Sequence, residues 1–168
     1  MRGFERGSWG GRLAALLAAA AAGGACADEV WLARDGRAAA QIVIPAAATP
    51  VERTAAQELK QHLEQVTGAA FAVVSEDAPK AGPRLLVGNT EASRKLVPEF
   101  DPAAAGYDSI VIKTAGDDLV LTGHSCRGPL YAVYTYLEDA VGVRWWTSEE
   151  TYIPSRPKLS LPELNVRF

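Results

Sequence analysis

The chain has 168 residues, 48% hydrophobic and 22% charged, with a net charge of −3 at neutral pH. That length suffices for one domain with its own core. The slight acidity offers no basic face for nucleic acid, and beyond the N-terminal segment no apolar run is long enough to cross a bilayer. The first 27 residues read as a signal peptide: Arg2, Arg6 and Arg12 form a basic lead, Leu13 to Ala22 an apolar stretch, and Ala25-Cys26-Ala27 an A-x-A cleavage site. Secretion, or release into a periplasm, is therefore expected, with the mature chain starting at Asp28. Lipoprotein anchoring at Cys26 is the weaker alternative, because Gly23-Gly24-Ala25 lacks the bulky aliphatic residue such sites carry. Cleavage removes three arginines and one glutamate, taking the net charge from −3 to −5. It also leaves Cys126 as the sole cysteine, so no internal disulfide can form and stability must come from the core.

Within the mature chain, Glu29–Ala33 and Gln41–Ile44 read as short strands joined by a turn at Asp35-Gly36. Thr49-Pro50-Val51-Glu52 is a capping-box pattern: a threonine to cap, a proline at the first helical position, and a glutamate able to reach back. The following helix gathers Ala55, Ala56, Leu59, Leu63 and Val66 on one face and ends at Gly68. Phe71–Val74 and Arg84–Val87 are strand-like. Gly88-Asn89-Thr90 then turns the second strand into a brief helix over Glu91–Leu96. Tyr107–Lys113 and Leu119–Thr122 form a hairpin, with Gly116-Asp117-Asp118 as its turn. Next comes the best-specified helix: Pro129 suits its start, Leu130, Val133, Tyr134, Leu137 and Val141 make its apolar stripe, and Gly142 suits its end. Val143-Arg144-Trp145-Trp146 returns to β-type residues, and a proline-spaced tail can add one edge strand. These elements predict an α+β (α/β-like) domain, a mixed β-sheet with helices mainly on one face.

The chemistry-bearing residues are sparse. Glu149 and Glu150 are a carboxylate pair, but adjacent residues in an extended segment point to opposite faces, whereas glycoside hydrolysis needs two carboxyls converging on one bond. Asp117-Asp118 reads as turn chemistry. His124-Ser125-Cys126 sits between a strand and a helix start, a place that can activate a thiol, yet only His62 and His124 exist as bases and Cys126 reads as a small buried residue. The glycines of G-H-S-C-R-G match neither a P-loop nor a dinucleotide fingerprint, and two separated histidines make no metal cluster. No catalytic residue, cofactor or metal is therefore assigned. Trp145, Trp146 and Tyr136 are the candidate interface or glycan contacts; of the two tryptophans, one is expected in the core and the other toward a partner or ligand.

Three stretches, T-A-A-Q-E-L-K-Q-H-L-E-Q-V-T-G (Thr54 to Gly68), L-L-V-G-N-T (Leu85 to Thr90) and R-G-P-L-Y-A-V-Y-T-Y-L-E-D-A-V-G-V-R-W-W (Arg127 to Trp146), carry a resemblance. They resemble the N-terminal domain of alpha-glucuronidases of glycoside hydrolase family 67, and are similar to the related domain preceding DUF4838 regions of uncharacterised bacterial proteins. The resemblance covers almost the whole mature chain. It implies a fold like the second domain of beta-N-acetylhexosaminidases, leaning on a following TIM barrel that supplies the catalytic carboxylates. This sequence stops at Leu164–Phe168, about where such relatives continue into the barrel, so no family catalytic residue maps onto it. The expectation is a non-catalytic accessory domain over 28–168, with 147–168 as a tail leading to an absent catalytic barrel. Either the gene is interrupted or the module stands alone. The expected partners are a catalytic TIM-barrel domain or partner chain, with plant cell-wall glycan as a further one. A standalone carbohydrate-binding or protein-interaction module is the alternative, and an enzyme in its own right is the least favoured reading.

Overall fold

The computed structural model describes residues 29–147 and 149–168; the expected signal peptide and the Cys26 alternative lie outside them. At the centre is a six-stranded mixed sheet. In chain order its members are β3 (Gln41–Ile44), β4 (Val73–Ser75), β5 (Arg84–Val87), β6 (Ile110–Ala115), β7 (Asp118–Gly123) and β11 (Asn165–Arg167). Side by side they run β11-β6-β7-β5-β3-β4. β3 is parallel to both β4 and β5, and β5 is parallel to β7, with Ile42 opposite Leu85 and Leu85 opposite Leu119. β6 and β7 form the expected antiparallel hairpin, and β11 joins the outer side of β6 antiparallel.

Side-chain alternation along these strands divides the apolar residues into two cores. Ile42, Leu85, Val87, Ile110, Ile112, Leu119 and Leu121 face the larger one. It is closed by α1 (Pro50–Thr67) and α3 (Gly128–Tyr136), which also pack against each other. Val43, Leu86, Val111 and Val120 face the other way, under the short α2 (Glu91–Leu96) and Val97. The mixed sheet with its two long helices on one face is thus as expected.

Helix ends follow local chemistry. Thr49 Oγ1 accepts from the Glu52 N–H and Glu52 Oε2 accepts from the Thr49 N–H, completing the capping box, and Gly68 closes α1 at φ +72°. α3 runs on into a π-helical turn, Leu137–Val141, whose Leu137 carbonyl accepts from the Gly142 N–H at 2.9 Å; Gly142 sits at φ +92°.

Pairing at the periphery departs from expectation. Asp35 and Gly36 do turn the chain, both at positive φ, but they join β1 (Trp31–Arg34) to the two-residue β2 (Arg37–Ala38) rather than to β3. The tail supplies the one edge strand expected of it, β11. It also supplies β10 (Leu159–Ser160), antiparallel to β1, and β9 (Thr151–Tyr152), antiparallel to β8 (Arg144–Trp145).

Candidate functional site

The two tryptophans differ in exposure. Trp145 turns inward, half-buried, with its ring edge-on to His62 at 5.5 Å and to Tyr134 at 5.3 Å. Burial first, and then the Glu58 charge, push the Tyr134 phenol up from its ordinary value. Trp146 points outward and is 65% exposed, its backbone N–H donating to the Glu150 carbonyl; Tyr152 of β9, opposite Arg144, is exposed as well. Tyr136 cannot be a surface contact: it is 1% exposed and belongs to the main core. The reason is that α3 is clasped by the sheet on one side and α1 on the other. Its buried arc therefore takes in Ala132 and Tyr136 beside Val133 and Leu137, while Leu130 and Tyr134 of the expected stripe lie at its margin. The Tyr136 Oη has no hydrogen-bond partner among the described residues, and burial pushes its phenol far up.

Cys126 is exposed, not buried, because Ser125–Arg127 form the open turn before α3. The Cys126 N–H donates to Nδ1 of the buried His124, so that nitrogen serves as a turn acceptor rather than a base for the thiol. Glu149 and Glu150 are exposed in the loop joining β8 to β9, and their backbone N–H groups both donate to Thr147 Oγ1.

A cleft of about 310 Å3 opens elsewhere, at the carboxyl ends of the parallel strands, where α1, α2 and α3 all begin. From β3 the chain passes through α1 to β4 on one flank. It then returns to β5 on the other flank and proceeds through α2 to the β6–β7 hairpin. The cleft thus lies where the strand order reverses, the position at which open α/β sheets leave a crevice. Glu52, Glu76, Asn89, Arg94 and Ser125 bring its polar groups. The sequence presents Gly88-Asn89-Thr90 as a local turn, which hides the cleft. The available signal is an apolar strand ending in Gly-Asn-Thr directly before a helix.

A family model described as "Glycosyl hydrolase family 67 N-terminus" matches residues 31–136, more than half the chain. The chain belongs to that family. This family 67 N-terminal domain is glycosidase-associated, and the match ends at Tyr136, before Trp145 and Trp146. Among solved structures, a family GH115 4-O-methyl-alpha-glucuronidase with specificity for decorated arabinogalactans superposes with a TM-score of 0.56 at 14% identity, over 83% of this chain and 18% of that one. A GH138 enzyme targeting pectin rhamnogalacturonan II gives a TM-score of 0.40 at 18% identity, over 60% of this chain and 13% of that one. The domain therefore spans less than a fifth of either chain, and the first likeness concerns the fold alone. No curated protein matches it.

Proposed function

We propose that this domain is the non-catalytic N-terminal accessory unit of a secreted, alpha-glucuronidase-type hydrolase of xylan-like polysaccharide, working beside a catalytic barrel that carries the acid–base pair. Membership of a family defined by its N-terminal position carries this reading. The carboxylates support it. Glu149 and Glu150 are solvated, and Glu52 and Glu76 in the cleft are both bonded to backbone N–H groups. Exposed aromatics that a barrel could cover are Tyr107, Tyr131, Trp146, Tyr152 and Phe168.

Purified chain assayed on glucuronoxylan oligosaccharides is expected to show no turnover; turnover abolished by Glu149→Gln or Glu150→Gln would overturn the accessory role. Export is expected to leave Asp28 as the N-terminus, read by intact mass, and a diacylglyceryl group on Cys26 would replace the soluble form with an anchored one. The second reading, a standalone glycan-binding module, draws on the exposed aromatics of the β8–β9 hairpin, Trp146 at 65% and Tyr152 at 55%.

A further inference from the structure

We propose that the cleft at the carboxyl ends of β3, β5 and β7 binds a neutral pyranose through a pair of adjacent hydroxyls. This inference stands on the cleft itself and does not require the accessory role. A relay of hydrogen bonds builds the site. Glu52, 6% exposed, accepts the Asn89 N–H at 2.8 Å on Oε1, and the Asn89 carbonyl accepts from Nη1 of Arg94 at 2.7 Å. Gly88, at φ +85°, permits this approach, since a Cβ there would collide with the Glu52 carboxylate. Glu76, also in the lining, accepts the Ala46 N–H on one oxygen and the Glu91 N–H on the other.

Unspent capacity defines the ligand. A guanidinium has about five donors and Arg94 commits one; a carboxylate has about four lone-pair positions and Glu76 commits two. Asn89 and Ser125 add an amide and a hydroxyl to the lining. A ligand hydroxyl both donates and accepts, so two neighbouring hydroxyls can bridge Glu76 and Arg94. Inorganic phosphate offers no pair of neighbouring ring hydroxyls, and a uronate, whose ring hydroxyls could make the same bridge, would bring its carboxylate beside Glu52 and Glu76 against one guanidinium. The helix starts do not alter this: Thr49 and Thr90 cap α1 and α2 from within the chain, and α3, which has no side-chain cap, has its first N–H groups bonded to the His124 and Arg127 carbonyls, with none on Pro129. Pro45, Pro102 and Pro129 wall the cleft, and such stiff walls lose little freedom on binding.

The test is a 15N-HSQC titration of the full chain with methyl β-xylopyranoside, methyl glucuronide, glycerol and inorganic phosphate in separate arms. The neutral pyranoside is expected to give saturable shifts at Ala47, Asn89, Arg94 and Ser125, with weaker binding in the other three arms. Arg94→Ala and Asn89→Ala should each weaken binding at least tenfold while the remaining spectrum shows a folded domain. Two variants guard against either one failing to fold. Shifts centred on Trp146, tighter binding of glucuronide or phosphate, an equal response to glycerol, or no saturable shift at millimolar sugar would each overturn the proposal.

Discussion

At the start of β7, Asp118 is 6% exposed and receives Nε of Arg84 at 3.0 Å and Nη2 at 2.5 Å, with Lys80 Nζ at 3.4 Å. Burial alone would raise this carboxyl. The Arg84 hydrogen bond and charge, joined by Lys80, outweigh it and hold the group below its ordinary range. A folded-state value below the unfolded one means that the stabilisation is fully present above the unfolded Asp range and is lost as pH falls through the folded value. Asp118→Asn should therefore cost about 1–3 kcal/mol near neutrality, the scale of hydrogen bonds to charged groups. The gap to wild type should close in strong acid, where the wild-type carboxyl is itself protonated. Urea titrations at the two pH extremes measure this, and a gap that stays constant would remove the ion pair from the account. Asp118 also marks a boundary of what the sequence discloses. Asp117 and Asp118 look alike as turn residues, and only the parallel register that sets Arg84 opposite Asp118 makes the second a buried ion-pair partner.

Helices announce themselves because their signals are local. Thr49, Glu52 and Gly68 bracket α1 within a few residues of its ends, and all three act as the spacing predicts. The orientation of α3 is less legible, since two neighbours bury it and the apolar stripe shows only one of them. Tyr136 and Cys126 are misread for that reason: one lies under a second contact face, the other in a turn that no element covers. Leu137, fully buried where α3 passes into its π-helical turn, is common to the expected and the observed faces. Leu137→Ala should cost about 2–5 kcal/mol by leaving a cavity among α1, α3 and the sheet. A loss under about 1 kcal/mol in denaturant titration would place this face outside the core.

At the scale of the molecule, the strand order β11-β6-β7-β5-β3-β4 is set by pairings between residues far apart in the sequence. β3 follows the Asp35-Gly36 turn and so reads as the partner of the preceding strand, yet it pairs with β4 and β5, reached only after α1. The cleft is hidden by the same circumstance, because its lining comes from the starts of three helices that only the sheet brings together. The tail is the most consequential case. Its prolines suggest one edge strand at most, yet β10 lies against β1 and β11 covers β6, with Leu159 buried and Leu164 and Val166 packed on the main core. Ending the chain after Lys158 would strip both strands together. β6 would then become a six-residue edge with unpaired N–H and C=O groups, beside newly exposed Ile112 and Leu32, an arrangement that recruits strands from other molecules. The shortened chain should lose more stability than Leu137→Ala, beyond about 2–5 kcal/mol, and should self-associate with rising concentration in sedimentation. A shortened chain that stays monomeric and melts like the full one would show that the domain ends before β10 and that the tail only rests on it.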